Sequence, residues 1–303
     1  MKVALCICTY QRPQGLQKLL DSLTQLQDSK NVEIVVADNH PKAEGIEVCQ
    51  SLPDDYPFLV HTTTVPSNGI SYARNAAIDK ALELQPTHLA FLDDDEWPSP
   101  HWLKELLRVL NAQNADVVGG PTVSVFPENA PESLKTNPYF GADLGLADGE
   151  ACQLEAAGNF LIRKDALDGM GPEYFHIDFA QSGGEDLAFF TQLAQRGARM
   201  HWAANATVSE SVPSNRISNT WLRTRVINIA NSRVRVMQLL EPGMISASIR
   251  GLKTLALGIV AMAMSVLGLL HADSSAKAQL LRWKFIGKFT AHLRQKTVRG
   301  EGH

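Results

Sequence analysis

The sequence lacks the features of a secreted, disulfide-stabilised protein. Only four of its 303 residues are cysteines, without paired C-x-x-C spacing, so we expect reduced thiols in a cytosolic chain. The start, MKVALCICTY, has no basic segment followed by a long apolar run, and we expect a first strand there instead of a secretory signal. Hydrophobic residues make up 45% and charged residues 20%, which is typical of a globular chain with a sizeable core.

Motifs of several enzyme classes are also missing. The nine histidines show no H-E-x-x-H spacing, and neither G-x-S-x-G nor G-x-x-x-x-G-K-[ST] occurs. The sequence therefore gives no support for a zinc protease, a serine hydrolase or a P-loop enzyme.

Charge is divided unevenly along the chain. Residues 214–303 carry 14 lysines and arginines against 3 acidic residues, a net charge of +11, whereas residues 1–213 carry 14 against 29, a net charge of −15. The basic part contains 17 uncharged residues, 254–270, and an apolar run of this kind favours an anionic membrane surface over nucleic acid.

That run is at the lower limit for crossing a hydrocarbon core of roughly 30 Å. Basic residues flank it on both sides, whereas a single crossing shows its basic bias on one side. We therefore expect a re-entrant or in-plane helical pair that embeds Leu280, Leu281, Trp283, Phe285, Ile286 and Phe289. The alternative is a helical pair packed on the protein's own core.

Apolar periodicity predicts alternating strands and helices, hence an α/β fold with a mostly parallel central sheet and helices on both faces. We expect one domain over 1–225, with a change of pattern near residue 115, and a membrane-associated tail over 226–303. VVGGPTVSVF (117–126) reads as one strand, and a helix is predicted from Trp97 with Ser99 as its N-cap.

A buried strand ends abruptly in Asp93, Asp94, Asp95 and Glu96. Adjacent carboxylates repel one another unless a cation compensates, and Mg²⁺ or Mn²⁺ would also bridge these oxygens to substrate phosphates. The alternative is a solvated acidic turn that precedes the next helix.

Five segments in this order resemble the family 2 glycosyltransferases, of the Rossmann-like GT-A fold and of the bacterial polysaccharide type similar to succinoglycan biosynthesis enzymes. The resemblance covers residues 1 to about 225 and rests on CTYQRP (8–13), VVADN (35–39), NGISYARNAAI (68–78), FLDDDEWPSPHWL (91–103) and SGGEDLAFF (182–190). It implies a catalytic domain over 1–225, with a nucleotide-binding half (1–115) and an acceptor-binding half (116–225). It also implies Asp95 as the metal ligand and a nucleotide site formed by Thr9, Tyr10, Arg12, Asp38, Asn68, Gly69, Arg74, Asp93 and Asp94.

The resemblance also implies that Asp186 is the general base, with Glu185 beside it. Ser182 and Glu185 match the S-x-x-E capping box, which is the structural alternative. Arg216, Trp221 and Arg225, together with Gly184, are candidates for phosphate or acceptor contact. An amphipathic basic helix on the membrane is the alternative for the first three. The Q-x-x-R-W signature of processive synthases is absent, which argues against a polymerase.

The expected activity is inverting, metal-dependent transfer of a sugar from a nucleotide diphosphate sugar, such as a UDP-sugar, to a glycan or lipid-linked glycan in surface polysaccharide assembly. The expected location is the cytoplasmic side of the inner membrane. The alternatives are a sugar nucleotidyltransferase, against which TYQRPQG after the first strand argues, and a non-catalytic nucleotide-binding scaffold.

Overall fold

The computed structural model of the chain describes residues 1–27, 29–267 and 272–294, and their side chains except at 272–275. The chain forms two compact units. One contains residues 1–180 and 189–212, and the other contains residues 181–188 and the chain from Pro213 onward.

The first unit alternates strands and helices along most of its length. In chain order its elements are β1 (Val3–Thr9), α1 (Pro13–Leu23), β2 (Val32–Asp38), α2 (Glu44–Gln50), β3 (Leu59–Thr64), α3 (Ile70–Glu83), β4 (His88–Asp93), β5 (Glu96–Pro98), α4 (Trp102–Ala112), β6 (Val117–Gly119), β7 (Thr122–Val125), α5 (Glu132–Lys135), β8 (Asn159–Arg163), α6 (Glu185–Gln195, whose first four residues belong to the other unit), β9 (Met200–Trp202) and β10 (Val208–Ser211).

Seven of these strands form the central sheet, in the order β3-β2-β1-β4-β8-β6-β9. Only β8 runs antiparallel to its neighbours, β4 and β6. The remaining neighbours pair in parallel, so the prediction of a mostly parallel sheet is confirmed.

Both faces of this sheet carry helices. Successive residues of a strand point to opposite sides, so a strand made of apolar residues gives each face an apolar surface that helices can cover. Leu5 and Ile7 of β1 belong to an apolar cluster with residues of α1 and α4. Ala4 and Cys6 belong to a second cluster, with residues of α3 and α6. The α/β layering expected from the periodicity is therefore present.

Two local predictions were wrong. The helix expected from Trp97 begins at Trp102, its N-cap is His101 and not Ser99, and Trp97 instead lies in β5, which pairs with β10. The segment 117–126 is two strands in different sheets, since β7 joins β5 and β10 in a three-stranded sheet. Pro121 stands at the break and has no N–H to continue a ladder.

The second unit contains the helices α7 (Asn219–Leu240), α8 (Met244–Leu267) and α9 (Ala272–His292). The pair α8 and α9 runs antiparallel, because Thr254 Oγ1 lies 3.1 Å from His292 Nε2 while Gly258 faces Phe285. The boundary predicted at residue 225 falls inside α7. Of the predicted run 254–270, residues 268–270 lie outside the described residues.

Candidate active site

Three polar residues end neighbouring parallel strands at one edge of the central sheet. Thr9, Asp38 and Asp93 close β1, β2 and β4, and the strand register pairs Thr9 with Asp38 and Cys8 with Asp93. The carboxyl ends of parallel strands are where open α/β sheets bind ligands. The structure thus brings together residues that lie far apart in the sequence.

The acidic turn between β4 and β5 is held by residues from the end of β1. The Thr9 hydroxyl donates to Asp94 Oδ2 at 2.8 Å, and Arg12 Nη1 lies 2.9 Å from both Asp94 Oδ1 and Asp95 Oδ2. Burial raises the pKa of Asp94 to about 6, against the opposing effect of Arg12. The two carboxyls differ in access to solvent, since the Asp94 side chain is 6% exposed and that of Asp95 is 23% exposed.

A second arginine approaches the turn from α3. Arg74 Nη2 lies 3.2 Å from Asp93 Oδ1, and the guanidinium lies 5.3 Å from the centre of the Phe175 ring. Together with Arg12, it places two cations against the three aspartates. Protein side chains therefore supply part of the positive charge that the sequence analysis expected beside these carboxylates.

Glu96 is a residue of the site that the sequence analysis did not assign. Its carboxylate Oε2 accepts the backbone N–H of Asp93 at 2.9 Å, and Oε1 accepts the Thr122 hydroxyl at 3.3 Å. The residue is buried, and desolvation raises the pKa of its carboxyl, assisted by the neighbouring Asp93. A Cβ on Gly158 would lie 2.6 Å from Glu96 Oε1, so a larger residue there would have to displace this carboxylate.

The loops after β1, β2 and β3 contribute the predicted nucleotide residues. Asp38 is buried, and its two oxygens accept the backbone N–H groups of His40 and Gly45, each at 2.8 Å. The Tyr10 ring stands edge-on to His40 with centroids 5.2 Å apart, and Asn68 Nδ2 donates to the Tyr10 hydroxyl at 3.4 Å. The structure gives Asp38 a role in shaping its own loop; a contact with the base remains a prediction.

Gly69 connects this region to α3. Its φ of +136° lies in the region that favours glycine, and a Cβ there would come within 2.7 Å of the Ala180 Cβ. Its carbonyl accepts the Asn39 side-chain amide at 3.1 Å.

The second acidic pair lies in the other unit, at the start of α6. Glu185 is fully buried, and Asp186 follows it in the first helical turn. Gly183 and Gly184, which precede the pair, have φ angles of +75° and +106°. The Ser182 hydroxyl accepts a hydrogen bond from Arg235 Nη1 of α7 at 2.7 Å.

Of the basic and aromatic candidates, Arg216 is buried in a 3₁₀ turn (Ser214–Arg216), and Trp221 and Arg225 lie one helical turn apart on α7. The Arg225 guanidinium lies 5.2 Å from the Trp221 ring centre. The helix begins after Ser218, whose hydroxyl accepts the Trp221 N–H. Phosphate or acceptor contact by these three residues remains a prediction.

Residues 4–171, more than half of the chain, match the family described as Glycosyl transferase family 2. The chain belongs to this family. Among curated proteins, this glycosyltransferase is 30% identical over 239 residues to the succinoglycan biosynthesis protein ExoM of Rhizobium meliloti, a match that covers 78% of the chain and 75% of ExoM. It is 23% identical over 206 residues to glycosyltransferase AglE of Haloferax volcanii, covering 68% of the chain and 61% of AglE.

Solved structures share the fold of this family 2 enzyme. The mannosyltransferase PcManGT of Pyrobaculum calidifontis, solved with GDP-Man and Mn²⁺, superposes with a TM-score of 0.65 at 15% identity, over 96% of the chain and 87% of that protein. S. aureus TarS 1-349, solved with UDP, gives a TM-score of 0.54 at 16% identity, over 97% of the chain and 90% of that protein. The GT-A fold expected from the sequence is confirmed.

The acidic turn of this glycosyltransferase could hold a divalent cation together with the phosphates of a bound nucleotide. Among the described residues there is no group of three or more His, Cys, Asp or Glu side chains that could hold a metal ion. Mg²⁺ sites in phosphate-transferring enzymes need fewer, since one or two carboxylates act together with the substrate's phosphates. The partly exposed Asp95 carboxylate offers the hard oxygen that such a site requires.

Proposed function

We propose that this enzyme is an inverting, metal-dependent glycosyltransferase. It moves a sugar from a nucleotide diphosphate sugar to a hydroxyl of a glycan or lipid-linked glycan in surface polysaccharide assembly. The observation that carries the proposal is the acidic turn at the carboxyl ends of β1, β2 and β4. In this turn Asp95 is partly exposed, Thr9 donates to Asp94, and Arg12 pairs with both carboxylates. The relation to ExoM supports the polysaccharide setting.

Each residue group has a distinct task in this proposal. The Tyr10, Asp38 and Asn68 region binds the nucleoside, while Arg12, Arg74 and Gly69 border the phosphates. A divalent cation, held by Asp95 when the donor is bound, would neutralise charge on the departing diphosphate.

Transfer then occurs in one displacement. Asp186 accepts the proton of the acceptor hydroxyl as that oxygen forms a bond to the anomeric carbon. The bond from this carbon to the diphosphate oxygen breaks, and the nucleoside diphosphate leaves with the electron pair. Attack opposite the leaving group inverts the configuration, and no covalent sugar–enzyme intermediate is needed.

The nucleotide is identified by calorimetric titration of the protein with UDP, GDP, dTDP and ADP, each with and without Mn²⁺. We expect one nucleotide to bind, with UDP as the first candidate, and the affinity to rise at least tenfold with Mn²⁺. Binding that is indifferent to Mn²⁺ would contradict metal dependence, and absence of binding by all four would contradict the nucleotide site.

We also propose that α8 lies in an anionic membrane surface on the cytoplasmic side. Among the described helices, only α8 is long and apolar enough to cross a membrane, and just 11% of its apolar window is buried. Seven of its ten exposed large apolar residues recur every three or four positions, which puts them on one helical face: Ile245, Ile249, Leu252, Leu255, Ile259, Met262 and Val266.

Basic residues on α8 and α9 favour lipid headgroups over a second copy of the chain as the partner of this face. Arg250 and Lys253 lie on α8, and Lys277, Arg282, Lys284 and Lys288 lie on α9. Lysine and arginine near an anionic surface each contribute about 1 kcal/mol to binding. Ile286 and Phe289 of α9 are exposed, and their insertion into lipid stays a prediction. Trp283 is buried among protein atoms, so the prediction that it embeds in lipid was wrong.

A further inference from the structure

The loop 182–186, which carries the proposed base, is contacted by two residues of α7. Arg235 Nη1 donates to the Ser182 hydroxyl at 2.7 Å, and the Ser232 hydroxyl donates to the Ser182 carbonyl at 3.4 Å. Ser232 and Arg235 are three positions apart and therefore share one face of α7. Both polar oxygens of Ser182 are thus held by the same helical face.

The backbone after Ser182 has little stiffness of its own. Gly183 and Gly184 have positive φ angles, in a region where glycine fits but where it also loses the most freedom on ordering. Fixing one residue's backbone costs about 1–2 kcal/mol. Contacts that fix Ser182 therefore help to determine the positions of Glu185 and Asp186, the first two residues of α6.

Burial makes this attachment persistent. Ser182 and Ser232 are each 5% exposed, so water competes little for their hydrogen bonds. Arg235 brings a charged donor to Ser182, and hydrogen bonds with an ionised partner are about twice as strong as neutral ones. The same helix contacts α9 through the Asn231 amide and the Thr290 hydroxyl at 3.1 Å.

We infer that Arg235 and Ser232 are positioning residues for the transfer step, which set the geometry of the loop 182–186 and hence of Asp186. The inference rests on the proposed role of Asp186 as general base. Neither side chain is required to touch the substrate. A displacement of about 1 Å at a reacting group can cost 10²-fold in rate, so loss of these contacts acts on turnover and not on donor binding.

The test compares Arg235→Ala and Ser232→Ala with Arg223→Ala, which removes an exposed arginine of the same helix. For Arg235→Ala we expect kcat to fall about 10- to 100-fold, with unchanged nucleotide affinity by calorimetry and a melting temperature lowered by only a few degrees. In Ser232→Ala, kcat is expected to fall a few-fold. Arg235→Lys should recover part of the kcat that Arg235→Ala loses, and Arg223→Ala should have the kcat of the wild type.

Two results would overturn the inference. One is wild-type kcat in Arg235→Ala; the other is a parallel loss of nucleotide affinity and melting temperature, which would make Arg235 a residue of general stability. Asp186→Asn, assayed in parallel, separates this failure from failure of the proposed function. If Asp186→Asn is inactive and Arg235→Ala is fully active, only the positioning role is wrong. Full activity of Asp186→Asn would remove the base assignment and this inference with it.

Discussion

The two units of the chain treat apolar side chains in opposite ways. The α/β unit buries its apolar residues in two clusters, one on each face of the sheet. The helical unit leaves a continuous apolar face of α8 exposed beside basic residues. The charge follows a similar division, with −15 over residues 1–213 and +11 over residues 214–303. In the proposed function, one unit binds a nucleotide at a sheet edge and the other binds an anionic membrane surface.

The segment 181–188 is an exception to the division of the chain into an amino-terminal and a carboxyl-terminal part. It lies in sequence between elements of the α/β unit but belongs to the helical unit. The proposed base therefore belongs to the unit with the proposed membrane-binding face, and the proposed metal ligand belongs to the unit with the sheet. Mutations that affect the proposed base and the proposed metal ligand separately test whether the two units have these different roles.

The largest effect is expected for Asp186→Asn. The amide keeps the shape of the side chain but cannot take up a proton, so kcat should fall by about 10²- to 10⁴-fold while nucleotide affinity stays unchanged. Steady-state transfer assays and calorimetry measure the two quantities. Asp54→Asn, an exposed substitution in the α/β unit, serves as the control. A kcat within twofold of the wild type would contradict the assignment.

Glu96 offers the next largest effect, this time in the α/β unit. Glu96→Ala removes the acceptor for the Asp93 N–H and leaves that donor buried, and we expect nucleotide affinity in the presence of Mn²⁺ to fall about 10-fold or more. Glu96→Gln keeps an acceptor oxygen and should retain most of the affinity. The exposed substitution Glu173→Ala is the control. Equal affinities for the Ala and Gln variants would argue against this role.

A smaller effect is expected when the exposed face of α8 is made polar. Ile259 and Met262 are 70% and 72% exposed, so replacing both by glutamate should cost little folding stability. It should weaken binding to vesicles with anionic lipid by about tenfold or more, in a flotation assay. Binding by the wild type should also weaken as salt is raised.

The matched control for this variant is Leu59→Glu, because Leu59 is an apolar residue of similar exposure, 67%, in the α/β unit. If both variants float with vesicles as the wild type does, α8 is not the membrane-binding face.

The smallest effect concerns an ion pair at the edge of the sheet. Arg199 donates to Asp116 through its backbone N–H at 2.8 Å and through its guanidinium, and these hydrogen bonds lower the pKa of Asp116. A carboxyl whose pKa is lower in the folded state stabilises the fold at any pH above its pKa in the unfolded chain, about 3.9. This stabilisation is lost as the pH falls through the pKa of the folded state. Both side chains are partly exposed, so the contribution is at most about 1 kcal/mol.

Urea unfolding of Asp116→Asn should therefore show a loss of at most about 1 kcal/mol at pH 7 and a smaller difference from the wild type at pH 3. A difference that grows as the pH falls would contradict the sign of this shift.

Strand ends were the part of the site that the sequence predicted best. Periodic apolar runs fix where strands stop, and the parallel arrangement then brings Thr9, Asp38 and Asp93 to one edge. Asp95, Arg12 and Arg74 could be assigned because the motifs that contain them resemble those of a known family.

Contacts between distant positions were not predictable in the same way. Glu96 holds the acidic turn through Thr122, and Arg235 holds Ser182 from 53 positions away. Glu96 belongs to the acidic run that the sequence singles out, but the run does not predict its hydrogen bonds. Arg235 shows no periodic or local pattern. Both roles depend on which elements pack together. Trp97 was misassigned to a helix for a related reason: its strand exists only through pairing with β10.

The most direct test of the division between the two units is calorimetric titration of the Asp95→Ala and Asp186→Asn variants with the identified nucleoside diphosphate, with and without Mn²⁺. We predict that Asp95→Ala loses the Mn²⁺-dependent part of the affinity, while Asp186→Asn binds as the wild type does but does not transfer sugar. Wild-type Mn²⁺-dependent binding by Asp95→Ala, or its loss in Asp186→Asn, would contradict the account.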